Sequence, residues 1–401
     1  MSQIETKDTW RDTRWTIIAV VLAAVVVLPL LGVWLAGYAL QPYLEFPPRT
    51  TYVTHEPFSR PVFIACALGI FGITVPFIVR LMPQGDHGSP IARTGLTSDA
   101  LRRISLPWWG WCGTAWTITA WILAWNRFEW LGALQLHTFT ALWLGYIVTV
   151  NAVSYARTGR CMLLHQVHYF LSLFSLSAGF WWIFEYLNRF VQNWYYVGAR
   201  DFTAGEYLLL ASLPFSTVLP AVMGTMECLE SFSGLSALRK QMWTMRENPV
   251  QPPGWFLVLS AGAGLTGIGL WPDYLFPLVW VAPLLMITGL ELLSGYPTIF
   301  DGLSHGHWER IGIAAMAALV CGFFWEMWNL HSLAHWEYTI PFVDRFQIFE
   351  MPILGYAGYL PFGLECLAVV ELVLGRRHSD GVTFCTADRP KLVPQCDSSM
   401  S

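Results

Sequence analysis

Apolar residues run through this chain in long blocks separated by short polar stretches, with few of the alternating patterns that mark strands. A helix needs roughly 20 apolar residues to cross a hydrocarbon layer. Runs of that kind predict spans near 15–40, 61–82, 107–126, 131–155, 166–190, 206–228, 254–271, 274–294, 310–331 and 350–375. The expected fold is therefore all-α integral membrane, with about ten transmembrane helices. Pro29, Pro76, Pro220 and Pro283 fall inside these runs, which bundled membrane helices tolerate. No strongly broken helix is expected. The first run is too long and too poor in a small-residue cleavage site for a signal peptide, so it reads as a retained anchor.

The second pattern is self-similarity. Phe184-Glu185-x-x-Asn188 followed by Trp194-x-Tyr196 recurs as Trp325-Glu326-x-x-Asn329 followed by Trp336-x-Tyr338, an offset of 141 residues at Glu and Asn and 142 at Trp and Tyr. Leu-Pro-Phe follows each copy, at 213–215 and 360–362. Upstream, Pro107 and Trp109 resemble Pro253 and Trp255, Asn151 falls near the counterpart of Glu291, and His165 near that of His305. The expected organisation is two parallel four-helix repeats plus two N-terminal helices. Its segments are 1–106 (two helices and a cytoplasmic linker), 107–252 (first repeat), 253–376 (second repeat) and 377–401 (a disordered cytoplasmic tail). Four is an even number of crossings, so both copies enter from the same side and their symmetry axis runs along the membrane normal.

Composition agrees with a lipid solvent: 55% of residues are hydrophobic and only 12% charged, where soluble domains carry about 25%. A net charge of -4 gives no reason to expect nucleic acid. Most of the 23 basic residues fall on the side of the N-terminus, leaving Arg49, Arg60, Arg127, Arg189, Arg200 and Arg345 opposite. That asymmetry predicts both termini on the cytoplasmic side of the membrane. The 8 cysteines show no paired spacing, and most lie in apolar runs, so neither a disulfide framework nor a zinc site is expected.

Acids within apolar spans are costly and mark candidate sites. Glu185 and Glu326 lie in the outer thirds of their helices. Asn188 and Asn329, three residues on, share their helix faces and are expected to orient the carboxyls. Arg189 is expected to pair with Glu185, whereas Leu330 and His331 occupy the matching place beside Glu326. Two carboxyls in unequal surroundings suit a general acid and a general base; a polar clasp between helices or an ion path would use the same residues. Trp194, Trp336, His331, Arg189 and Glu365 complete the candidate substrate-binding set. Glu227 and Glu291 are expected at the inner interface. His165 and His168 with Asp301, His305 and His307 form a second cluster at the inner face. Their spacing is sparser than di-iron membrane enzymes need, so no metal is expected there, nor at His331 and His335, and no cofactor is identifiable. The aromatic loops 191–205 and 332–352 are placed to cover a cavity mouth, and bulky aromatics beside polar groups suit a long apolar ligand and contact with lipid equally well. Expected partners are the bilayer, a hydrophobic small molecule and other membrane proteins.

Trp143-Leu144-Gly145-Tyr146, Phe184-Glu185-Tyr186-Leu187-Asn188-Arg189-Phe190 and Phe349-Glu350-Met351-Pro352 resemble an uncharacterised family of bacterial polytopic membrane proteins, over nearly the whole chain. The duplicated helices bearing Glu and Asn are distantly similar to membrane-embedded lycopene cyclases and related carotenoid enzymes. That resemblance implies a metal-independent site with acidic residues and an isoprenoid substrate. The chain lacks their Pro-x-Glu-Glu signature, and its repeat is longer than theirs. The functional expectation is an enzyme or binder for an isoprenoid or lipid, with a proton-coupled transporter or an assembly subunit as the rival readings.

Overall fold

A computed structural model describes residues 2–48, 52–81, 105–198, 202–232, 253–378 and 381–383. The chain is a helical membrane protein in contact with lipid. Seven of its described helical segments are long and apolar enough to cross a bilayer, and an eighth span results if one bent pair counts as a single crossing.

The long helices of the first half are α1 (Ser2–Leu35), α3 (Arg60–Leu81), α5 (Thr138–Thr158) and α7 (Val167–Val191); short α2 (Gln41–Leu44) and α6 (Met162–His165) lie among them, and α8 (Ala204–Phe215) with α9 (Val218–Glu230) together form one further candidate span. Between α3 and α5 lies α4 (Trp108–Trp125), rich in tryptophan. The second half holds α10 (Gly254–Leu270), short α11 (Pro272–Leu275), α12 (Ala282–Leu293), α13 (Glu309–Asn329) and α14 (Tyr359–Leu374). Helix α10, at 17 residues, is apolar but short. No strongly broken helix was expected, yet the segment Pro272–Trp280 meets Ala282–Leu293 at 54°. The cause is local: Pro272, Pro277 and Pro283 lack donors, so the hydrogen-bond ladder cannot run through.

Helix packing pairs α4 with α5 and α10 with α12, then α7 with α9 and α13 with α14. Across the molecule, α13 packs on α9 and α7 on α14. The first helix is no peripheral addition. At its crossing with α10, a Cβ on Gly32 would stand 2.0 Å from the Thr266 carbonyl oxygen, and one on Gly269 would stand 2.2 Å from that of Pro29. Only glycine permits backbones to meet so closely. The glycines of α10 thus serve helix contact.

In the core, aromatic rings from both halves interlock. Trp143 lies 4.9 Å from Trp325 between ring centroids, and Phe184 stacks on Trp280 at 4.9 Å. Such pairs add a geometric preference to their large buried area. Between α7 and α8, strand β1 (Trp194–Val197) pairs antiparallel with β2 (His335–Tyr338), the segment following α13. Two further short pairs, β3 (Gln347–Ile348) with β4 (Met351–Pro352) and β5 (Arg376–His378) with β6 (Gly381–Thr383), complete the strands among the described residues. The last pair stands at the start of the segment expected to be a disordered tail; positions 384–401 lie outside the described residues.

Candidate functional site

The β1–β2 ribbon organises the site. Its register places Trp194 opposite Tyr338, Tyr195 opposite Glu337 and Tyr196 opposite Trp336. The sequence equivalents Trp194/Trp336 and Tyr196/Tyr338 therefore meet crosswise about the central Tyr195–Glu337 pair. There the Tyr195 hydroxyl donates to Glu337 Oε2. Gly198 ends β1 at φ 78°, where an added Cβ would fall 2.2 Å from the Leu333 carbonyl oxygen.

Asn188 and Asn329 anchor the two strands. Asn188 Nδ2 donates to the Trp194 carbonyl at 2.7 Å, and its Oδ1 accepts from the backbone N–H of Asn193 at 2.9 Å. Asn329 Nδ2 donates to the Trp336 carbonyl at 2.6 Å and Oδ1 accepts the Trp336 N–H at 2.8 Å. These amides were expected to orient the carboxyls one turn earlier. They bond to strand backbone instead, because a chain leaving a helix inside an apolar core must satisfy its own N–H and C=O groups.

The carboxyls are held by aromatic donors. Glu185 is 1% exposed, and its Oε1 accepts from Tyr196 at 2.6 Å, Trp181 at 3.1 Å and Trp194 at 3.2 Å. Glu326 is fully buried, and its Oε1 accepts from Tyr359 at 2.6 Å and Tyr338 at 2.8 Å. Trp336 stands one step back, donating to the Tyr338 hydroxyl at 2.8 Å. Neither Glu185 Oε2 nor Glu326 Oε2 carries a hydrogen bond. Burial and the adjacent carboxyls push the phenols of Tyr196 and Tyr338 well above their ordinary value, so both stay neutral donors.

A cavity of about 550 Å³ lies beside these clusters. Its wall is overwhelmingly apolar, within the size range of small-molecule sites. Trp194, Trp336, Tyr196, Tyr338, Trp181 and Tyr359 all face it. Glu185 and Glu326 do not: each sits one side chain behind the wall, connected to it by the hydroxyls and indoles it accepts from. The wall draws on both halves of the chain at equivalent places, with Phe139 and Trp280, Pro214 and Pro361, Phe215 and Phe362 among its residues. Both aromatic loops contribute, through Asn193, Phe202, Ala334 and Val343 among others.

The remaining candidates lie elsewhere. Arg189 was expected to pair with Glu185, but its guanidinium donates to the carbonyls of Tyr43 and Glu45 at 2.9 and 2.7 Å, tying α7 to α2. Tyr43 lies in the short α2 and Glu45 caps its C-terminal end, where carbonyls lack intrahelical donors and a fork of donors suits them. His331 packs edge-on against Trp125 at 5.0 Å, away from the cavity. Glu365 is 1% exposed in α14, its Oε2 carries no hydrogen bond, and it is not part of the wall. Glu291, expected at an interface, is only 3% exposed, and its Oε2 likewise lacks a partner. Glu227 accepts from the Met162 N–H at 3.0 Å. Of the histidines, His165 stacks on Tyr155, while His305 and His307 stack on one another. Among the described residues no three His, Cys, Asp or Glu side chains converge as a metal site would require.

Tyr359, Trp181 and Asn193 are site residues that pattern reading missed. Tyr359 immediately precedes the second Leu-Pro-Phe, and that position was the available signal. Asn193 and Trp181 have no residue of the same type at the matching sequence offset, so self-similarity passes over them. No family model, curated protein or solved structure matches the chain.

Proposed function

We propose that this protein binds a long apolar molecule, of isoprenoid or lipid type, in the cavity beneath the β1–β2 ribbon. The observation that carries this reading is the wall itself: apolar, aromatic, and backed by two buried carboxyls whose hydrogen-bond donors face the space. An apolar pocket with few polar groups is what a hydrophobic ligand needs. Glu185 and Glu326 act on the ligand through Tyr196, Tyr338 and Tyr359 and do not touch it. Acid–base chemistry, if the protein is an enzyme, passes through those hydroxyls.

The same geometry supports the two-repeat organisation with ten spans, counting α4, α10 and the bent pair. The crosswise register of the ribbon is what a two-fold relation between the copies produces. With Arg14, Arg157, Arg310 and Arg376 at the helix ends away from the ribbon, the ribbon lies on the outer side of a bacterial inner membrane and both termini lie inside.

Gentle purification followed by mass spectrometry of retained small molecules tests the binding reading. The expected result is a stoichiometric isoprenoid or lipid in the native protein and its loss on Ala211→Trp, which fills the wall. Native protein that carries no such molecule, and takes none up from added lipid, removes the reading. A transport reading is favoured by one observation: the 54° break places Phe276, Pro277, Trp280 and Val281 on the cavity wall, and broken spans often line transport sites. Ligand flux in proteoliposomes driven by a pH gradient would establish that reading in place of simple binding.

A further inference from the structure

Most aromatic hydrogen-bond donors on the cavity wall are committed to groups behind it. Tyr196, Trp181 and Trp194 donate to Glu185, Tyr338 and Tyr359 to Glu326, and Trp336 to the Tyr338 hydroxyl. Trp280 and Trp325 differ. Both line the cavity, and among the described residues neither indole N–H has a hydrogen-bond partner. Nor are these two nitrogens sealed by packing, as those of Trp121, Trp125, Trp143 and Trp328 are. Trp325 is only 5% exposed, and the little surface it keeps lies on the cavity wall. The two rings flank Phe362, with centroids 5.8 and 6.1 Å from it, and close contacts with Phe184 and Trp143 hold them in place. An indole N–H can only donate, and a donor left without an acceptor in an apolar setting costs free energy. The Tyr207 hydroxyl, also on the wall and unpartnered, can turn and can accept as well as donate, so it selects no ligand chemistry.

We infer that the cavity's ligand carries a neutral carbonyl group, and that the indole N–H groups of Trp280 and Trp325 are its donors. The inference rests on the binding reading above and names the class of ligand: an apolar chain with a ketone, ester or quinone head. The chemistry of the wall narrows the head group. A partner for two fixed donors must accept. A carbonyl oxygen offers two lone pairs and brings no hydrogen of its own to place, and an ester or quinone adds a second oxygen. A carboxylate or phosphate also accepts, but the wall includes no Lys, Arg or His to balance its charge. A pure hydrocarbon leaves both N–H groups without a partner. The two halves of the chain differ at these places: 141 residues earlier stand Phe139 and Phe184, which have no N–H to offer. The donor pair therefore belongs to one half, and the ligand binds in one direction with its carbonyl end toward Trp280 and Trp325.

Phytone, a branched isoprenoid ketone, and the alkene with a methylene in place of its oxygen share one shape and differ in the acceptor, so they serve as the probes. Binding of each to the purified full chain in nanodiscs is measured by native mass spectrometry. The native protein is expected to prefer phytone by about tenfold relative to a Trp280→Phe, Trp325→Phe variant, the weight of one ordinary hydrogen bond. Using the ratio between proteins cancels the different partition of the probes into the bilayer. The double variant keeps a ring at both places and is expected to keep its affinity for the alkene; each single change is expected to lose part of the preference. With the carbonyl carbon of phytone isotopically labelled, its infrared stretch is expected at lower frequency in native protein than in the double variant. Equal preference in native and variant protein, with both probes bound, overturns the role of the indoles and leaves the cavity reading intact. A larger gain for the alcohol made by reducing phytone than for phytone itself, on the same ratio, overturns the carbonyl. Binding of neither probe by native protein overturns both the carbonyl and the cavity reading.

Discussion

At the residue scale, the two buried glutamates show how one side chain serves as a hub. Oε1 of Glu185 gathers three donors and Oε1 of Glu326 two, so removal of either carboxyl orphans hydroxyl or indole groups in a dry setting. Each orphaned buried donor costs about 1–3 kcal/mol. Glu185→Leu is therefore expected to lower thermal stability in detergent markedly. Glu185→Gln keeps an acceptor oxygen in place and is expected to lose far less. Equal melting temperatures for the two variants would show that the hydrogen bonds contribute nothing. The asparagines call for a different comparison. Asn329→Asp keeps Oδ1 for the Trp336 N–H and loses the donor to the Trp336 carbonyl, whereas Asn329→Leu loses both bonds. Trp336 emission is expected to shift more for Leu than for Asp, and an identical spectrum would contradict the anchor. Sequence alone marked all four of these residues through their offset. It did not reveal that the amides serve the strands, because a three-residue spacing puts two side chains on one face without saying what stands opposite.

At the element scale, α3 stands apart. None of its described residues is buried, yet Cys66, Gly69, Ile70 and Ile73 form part of the cavity wall. Its contacts gather toward its two ends. Phe63 packs against Phe346 at 5.5 Å near the ribbon end, and Phe77 against Trp308 at 5.2 Å near the other. Between those contacts the helix covers the cavity as a loosely fitted panel, which is where a lipid-soluble molecule would enter from the bilayer. In a Cys112→Ser, Cys385→Ser, Cys396→Ser background, Cys66 is expected to react with N-ethylmaleimide and to be protected when a lipid or isoprenoid is bound. Cys321 and Cys366, fully buried in α13 and α14, are expected to stay unmodified. Labelling of Cys66 that is indifferent to every bound lipid would detach α3 from the site. Hydropathy located this helix to within a residue or two, as it did α7 and α13. It gave no sign that the helix would pack so little, because an apolar face against lipid and one against protein read alike. The break between α11 and α12 escaped notice for a related reason: prolines are tolerated within membrane helices, and only the surroundings decide whether they bend one.

At the scale of the whole molecule, the ribbon joins the two halves directly over the cavity, and its centre offers a handle for separating binding from transport. Tyr195 and Glu337 are paired in register, with the phenol pushed to about 12 by burial and by the carboxylate it donates to. Cysteines at directly opposed positions of an antiparallel pair stand close enough to cross-link. A Tyr195→Cys, Glu337→Cys variant in a Cys66→Ser, Cys112→Ser, Cys385→Ser, Cys396→Ser background is expected to form an intramolecular disulfide under mild oxidation, seen as a shift on non-reducing gels. That bond fastens the two halves at the ribbon. A protein that binds its ligand by entry beside α3 is expected to retain binding when oxidised, since nothing at the ribbon must open. A transporter whose halves rock about their shared axis is expected to lose flux on oxidation and to recover it on reduction, with binding preserved in both states. Failure of the cross-link to form would contradict the register itself, and with it the crosswise meeting of equivalent residues on which the two-fold relation depends.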